Sequence, residues 1–315
     1  MTKNKIKAAF TDQRFLLGLV IAFIVVIVAM INPKFIAMSN IITIFQQISV
    51  LGIITMAMGL LMISGGTDVS LANIMVLSGI TMSKMLELGL PLVSAICIGL
   101  AVGAVCGFVN GFIIAKTNSI SLIITLGTGQ VYYGISLLLS GGTISGFDGA
   151  LEFLKNKIFG IVPLMLVVLF AVTIITSFIL NRTKFGRRVV AVGGNPYNAY
   201  LCGINVNKYK IITWVIAGFL SAVASIVFCA RIDSITANSS GSYSMNAMAA
   251  AIMGGITFAG GTGTVSGAFL GCLMMGVINN AMNILKVSSY VQTIVSGAII
   301  VAALIVSNMN SNRKK

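Results

Sequence analysis

Apolar runs about 20 residues long recur along the whole chain, separated by short polar breaks. A helix needs roughly 20 apolar residues to cross about 30 Å of hydrocarbon, so each run predicts a membrane span. Ten are expected, at about 15–31, 41–64, 69–88, 91–115, 120–140, 158–180, 211–230, 246–258, 264–285 and 289–307. The eighth is short, and few residues join the second to the third. A re-entrant or broken helix is therefore expected at 65–70 or 246–264. The first run follows Lys3, Lys5 and Lys7 as in a signal peptide, but its 17 apolar residues and the lack of a small-residue cleavage pattern before Asn32 predict an uncleaved anchor. The fold class is all-α: a polytopic membrane protein of about ten transmembrane helices. One transmembrane domain spans 15–307, between an N-terminal segment 1–14 and a basic tail 308–315.

Composition agrees. With 57% hydrophobic residues, 8% charged and a mean hydropathy of +1.05, a water-soluble fold would have too little polar surface to cover itself. The net charge of +14 would suggest nucleic acid in a soluble protein. Here the basic residues form short clusters at helix ends, where membrane orientation and anionic headgroups account for them. Placing both termini in the cytoplasm puts Lys3, Lys5, Lys7, Arg14, Lys116, six basic residues of 181–210, Arg313, Lys314 and Lys315 inside, fourteen of 20. Four of the six acids, Glu87, Asp148, Glu152 and Asp233, then lie outside. The partner is a lipid bilayer, with no nucleic acid. There is no histidine, and the five cysteines show no C-x-x-C pairing. They read as small hydrophobes, with no metal, cofactor or catalytic residue implied.

Gly99, Gly103, Gly107 and Gly111 form one four-residue ladder and Gly263, Gly267 and Gly271 another, a pattern that lets helix backbones approach closely in lipid. Tyr209, Trp214, Tyr243 and Tyr290 stand near helix ends and read as interface anchors. Asp68 is the one acid placed to lie inside the bilayer. Gly65 and Gly66 end the span before it, and Thr67 or Asp68 is expected to cap the next. Ser70, Asn73 and Thr81 then share a helix face. Thr125, Thr128 and Tyr132 align on the fifth span, and Asn279, Asn280 and Asn283 interrupt the ninth. Two readings stay open for these groups: interhelical bonding, or a weakly polar path for a neutral, hydroxyl-rich solute. The path candidates are Asp68, Ser70, Asn73, Thr125, Thr128, Asn279 and Asn283.

The longest polar stretch, "NRTKFGRRVVAVGGNPYNAYLCGINVNKYK" at 181–210, has charged edges and an uncharged centre. Gly193 and Gly194 permit a tight turn, Asn195 is a good N-cap, Pro196 suits the first helical position, and Gly203 stops the helix after about two turns. Tyr197, Tyr200 and Leu201 would face outward. Orientation requires only the basic edges, so the capped helix predicts a docking surface.

At these residues the chain resembles the ribose-type permeases of ABC importers, the membrane subunits of bacterial systems that take up sugars such as ribose, xylose or galactose. The resemblance covers nearly everything after about residue 40. Its motifs occur in order: "GGTDVS" at 65–70, "NGFIIAKTN" at 110–118, "TLGT" at 125–128, "TKFGRRVVAVGGNP" at 183–196, "GINV" at 203–206, "GGITFAGGTGTVSGAFLG" at 254–271 and "INNAMNIL" at 278–285. It implies that Gly186, Gly193, Gly194, Asn195, Pro196 and Gly203 belong to a coupling loop that docks on a cytoplasmic ABC ATPase subunit. It also implies a second permease copy, a soluble or lipid-anchored solute-binding protein outside, and a bacterial inner-membrane location. The chain carries no phosphate loop of its own, so hydrolysis is expected in the partner. Where the family commonly has Glu-Ala-Ala after "GGNP", this chain has Tyr197, Asn198 and Ala199. Where it tends to read "YELDAIAA", residues 243–250 carry no acid. A glycine is frequent where Asn73 or its neighbour stands. These departures bear on partner and solute more than on fold. An ABC permease for nucleosides or branched-chain amino acids is the nearest alternative. An ATP-independent secondary transporter is the rival class, and it would call for more intramembrane ionisable groups than Asp68.

Overall fold

The computed structural model describes residues 13–158 and 162–312. Lys3, Lys5, Lys7, Arg313, Lys314 and Lys315 lie outside the described residues. Among the described residues twelve α-helices follow one another: α1 (Gln13–Ile31), α2 (Met38–Ile63), α3 (Leu71–Glu87), α4 (Leu92–Thr117), α5 (Ser121–Ser140), α6 (Leu164–Arg182), α7 (Lys184–Gly194), α8 (Pro196–Leu201), α9 (Val206–Ile232), α10 (Tyr243–Met253), α11 (Val265–Ile284) and α12 (Ser289–Asn312). Among the described residues seven helices, α1, α2, α4, α5, α6, α9 and α11, are long and apolar enough to cross a membrane. α3 has 17 residues, α10 has 11, and the apolar part of α12 is Ser289–Ala302.

Three boundaries differ from the hydropathy pattern for local reasons. The sixth helix starts at Leu164 and not near 158, because Lys157–Ile158 pairs antiparallel with Val162–Pro163 and Pro163 then takes the N-cap position. The seventh expected span begins early, at Val206, because Asn205 accepts a hydrogen bond from the Lys208 amide at 3.0 Å and starts the helix in polar sequence. The eighth stops at Met253, since the Gly255 and Ile256 amides fold back onto the carbonyls of Ile252 and Ala251. A broken segment over 254–264 follows.

Packing rests on the small residues. On α4, Gly99 faces Met82 of α3, while Gly103, Gly107 and Gly111 face Ala222, Gly218 and Trp214 of α9. A methyl group at Gly103 would come within 2.6 Å of the Ala222 methyl and of the Gly218 carbonyl. α4 and α9 therefore touch backbone to backbone. On the second ladder Gly267 and Gly271 lie against Gly254 and Ala250, whereas Gly263 precedes the helix and packs on Ile256. α2 runs through the core and is buried from Ile48 to Ile63. It lies antiparallel to α11: Asn40 pairs with Asn280, Gly276 accommodates Ile48, and Gly59 is near Ala268.

Trp214 is not an interface anchor. Only 1% of it is exposed, and its ring fills the space that Gly66 and Gly111 leave open. Tyr290 is exposed, as an anchor would be. The five cysteines are free; Cys106, Cys229 and Cys272 are buried, and Cys97 and Cys202 are exposed.

Candidate functional site

The polar loop is two helices. α7 uses Thr183 as N-cap, its hydroxyl accepting from the Gly186 amide at 3.1 Å, and it runs through Gly193 to Gly194. The expected glycine turn is thus the end of a helix. Asn195 then caps α8 as expected, accepting from the Asn198 amide at 3.0 Å, with Pro196 at the first position. α8 ends at Leu201, shorter than two turns, where the Gly203 amide returns to the Tyr200 carbonyl with Gly203 at φ +78°. Tyr197, Tyr200 and Leu201 are exposed, Tyr197 by 69%. A short apolar, capped surface therefore stands at one end of the bundle.

What lies behind that surface is unusual. Gly193 abuts the Ile63 carbonyl, so that any side chain there would collide with the backbone of Ile63 and Ser64. Gly65 packs on Gly193, Gly260 approaches both of them, and Gly261 lies against Gly194. The Gly261 amide donates to the Ile63 carbonyl at 2.9 Å. Three separate breaks, after α2, after α7 and after α10, thus meet through glycine backbone. A Cβ at Gly193, Gly260 or Gly261 would run into the backbone of a neighbouring break. Gly186 is equally constrained, pressed on the carbonyls of Ile179 and Leu180, which closes the α6–α7 corner.

The turn from Ser64 to Ser70 is irregular backbone within an apolar bundle, where each amide needs a protein partner. The Thr67 amide donates to Ser121 Oγ at 3.0 Å, Val69 to Thr125 Oγ1 at 3.2 Å and Ala72 to Ser244 Oγ at 2.9 Å. Asp68 does not cap α3. Ser70 occupies the N-cap position without a side-chain bond to the helix, and its amide and hydroxyl both donate to Asp68 Oδ1, at 2.7 and 2.5 Å. Asn110 of α4 donates to Asp68 Oδ2 at 3.2 Å and to Ser70 Oγ at 2.9 Å. Tyr132 of α5 hydrogen-bonds Asn110 Oδ1 at 2.9 Å. Asp68 is 1% exposed, and the group ties the 64–70 turn to two neighbouring helices.

The other path candidates are dispersed. Thr125 is buried in the bond to Val69; Thr128 is partly buried; Asn73 donates to the Gly129 carbonyl at 3.0 Å. At the opposite end of the bundle Asn283 accepts from Gln292 at 3.0 Å and Asn279 is partly buried. Asn110 and Tyr132 complete the Asp68 network. Asn110 had a signal in the sequence, a lone amide inside the otherwise apolar fourth run, but its partner stands 42 residues away.

The chain matches the family model described as "Branched-chain amino acid transport system / permease component" over residues 40–304. It is 33% identical to the ribose import permease protein RbsC of Haemophilus influenzae, covering 96% of this chain and 95% of that protein. It is 33% identical to the D-allose transport system permease protein AlsC of Escherichia coli, over 93% and 90%. With the L-arabinose transport system permease protein AraH of Escherichia coli the figures are 34%, 95% and 92%. No solved structure matches. The family model spans both the exposed α7–α8 loop and all three glycine breaks behind it, and the chain belongs to this permease family of the bacterial inner membrane as a multi-pass member of the ribose type.

Proposed function

We propose that this chain is the membrane-spanning permease subunit of an ATP-driven ABC importer, passing a neutral sugar that a soluble or lipid-anchored binding protein delivers. It spans the membrane ten times with both termini in the cytoplasm. Two copies form the permease, and a separate ATPase subunit docks on α7–α8. ATP-driven closure of that subunit moves α7 and alternates access from one side to the other. The glycine junction is the observation that carries this reading. A helix pair that offers Tyr197, Tyr200 and Leu201 to a partner is joined through Gly193 and Gly194 to the breaks after α2 and α10, so movement at the surface is passed to the spans without a compliant side chain between. Asp68, Ser70 and Thr125 frame the path, which Asn73, Thr128, Asn279 and Asn283 approach. Apart from the buried Asp68 the path calls on no ionisable group inside a span, as suits a neutral solute.

The sugar class follows from the relatives' names, so ribose, D-allose and L-arabinose are the first solutes to test. Reconstitution with the candidate ATPase and binding protein should give sugar-stimulated ATP hydrolysis. Replacing Gly194, Asn195 and Pro196 together by alanine should abolish that stimulation while the chain still inserts. Uptake that persists with no ATPase present would refute the reading in favour of a secondary transporter.

A further inference from the structure

Beside the glycine junction lies a cavity of about 260 Å3, bounded by the 64–67 turn, residues 119–122, and the start of α9 with Lys210 and Trp214. Its lining is rich in donors. Lys210 is partly buried there, and its ammonium has neither a hydrogen-bond nor an ion-pair partner among the described residues. Thr67 is only 5% exposed; its amide is bonded to Ser121, but its hydroxyl has no partner among the described residues. α5 begins at this wall with Ile120 in the N-cap position and no side-chain cap. The amides of Ser121 and Leu122, both in the lining, accordingly have no bond among the described residues. Among the described residues no aspartate or glutamate lines the cavity.

A partly desolvated cation, a hydroxyl on the cavity wall and an uncapped helix start are all donors, and an anionic oxygen can accept from each of them. A carboxylate has two oxygens to offer. A phosphate has more, arranged tetrahedrally, and it suits both a lysine and a helix N-terminus. We propose that this cavity binds a phosphate group, carried either by a lipid headgroup or by a free phosphate or sugar phosphate. Exposed Ile120 and Phe258 beside it would accept the apolar part of a lipid. Since Gly65 belongs both to the cavity wall and to the contact with Gly193, the ligand sits where it would restrain the coupling junction. The site does not depend on which solute crosses the membrane.

Trp214 lines the cavity and is the only tryptophan of the chain, so its fluorescence reports occupancy directly. The full chain in a phosphate-free maltoside detergent is titrated with inorganic phosphate, ribose 5-phosphate, dihexanoyl phosphatidylglycerol and ribose, with calorimetry in parallel. At least one phosphate-bearing probe should give a saturable change in emission and heat, and ribose none. Lys210→Met should weaken binding by about tenfold or more, the usual scale for losing a charged hydrogen-bond partner, while Lys210→Arg retains it and Thr67→Ala weakens it severalfold. A response to the soluble phosphates assigns a free ligand, and a response to phosphatidylglycerol alone assigns a headgroup; both support the phosphate chemistry. The proposal is overturned by no signal from any phosphate-bearing probe in either measurement, by equal affinity in Lys210→Met, or by an equal response to ribose.

Discussion

The two ends of the bundle are joined in opposite ways. At the end that carries α7 and α8, three breaks meet through Gly65, Gly193, Gly194, Gly260 and Gly261 with backbone against backbone. At the other end the joints are side chains and small sheets. Asn40 and Asn280 exchange two amide hydrogen bonds at 2.9 and 3.0 Å, Ser145–Gly146 pairs with Ser234–Ile235, and Asp233 accepts from the Gly149 amide at 3.1 Å. A side-chain joint can be loosened by one substitution and re-formed by another rotamer. A backbone joint has no such freedom, and under the proposed function it is the route by which displacement at α7 would reach α2 and α10.

The comparison is broken most severely at Gly193. Gly193→Val puts branched carbons where the Ile63 carbonyl stands, and forced overpacking of this kind costs about 1–3 kcal/mol or more. Both thermal stability in detergent and partner-stimulated ATP hydrolysis should fall sharply. Gly203→Ala, on the same loop but with open space around it, should affect only the end of α8 through its positive φ. A Gly193→Val variant with wild-type melting and coupling would show that the three breaks are not welded.

Asp68→Ala is next. It leaves the Ser70 amide and the Ser70 hydroxyl without their acceptor inside the bundle, while the Asn110 amide group keeps only Ser70 Oγ. Each stranded buried donor costs about 1–3 kcal/mol, so a loss of a few kcal/mol is expected, seen as a lower melting temperature. Asp68→Asn keeps one acceptor oxygen and should lie between. If Asp68→Ala melts like the parent protein while transport alone suffers, the carboxylate belongs to the solute path and not to the frame.

Much of this architecture was legible beforehand because it depends on local rules. Apolar runs marked the helices, and Asn195 and Pro196 marked the start of α8, since a cap bonds only two or three residues ahead. The glycine ladder of α4 announced close packing. What could not be read depended on distant partners. Gly193 and Gly194 look like a turn until Ile63 and Gly261 supply the reason for glycine inside a helix end. Asp68 looks like a cap until Asn110 and Tyr132 arrive from two other helices. Lys210 counts as one more basic residue at a membrane edge, and only the fold places it in a cavity beside Thr67 and Ser121. Chain-distant contacts override local propensity at the positions where the segments meet.

The far end gives the smallest effect and the most discriminating one. Asn40→Ala and Asn280→Ala each remove half of a reciprocal pair, and in membranes such interhelical bonds average roughly 0.6 kcal/mol. Each single variant also strands its partner: Asn280→Ala leaves Asn40 with only the Phe35 carbonyl at 2.8 Å as an acceptor for its amide. The double variant should therefore be less destabilised than the sum of the singles, a coupling that a double-mutant cycle on melting temperature would measure. Coupling to ATP hydrolysis should survive in all three variants, because this joint is compliant and lies away from α7. Loss of coupling in Asn280→Ala at near-normal stability would place the moving part at this end, and the contrast between a rigid and a compliant end would have to be reversed.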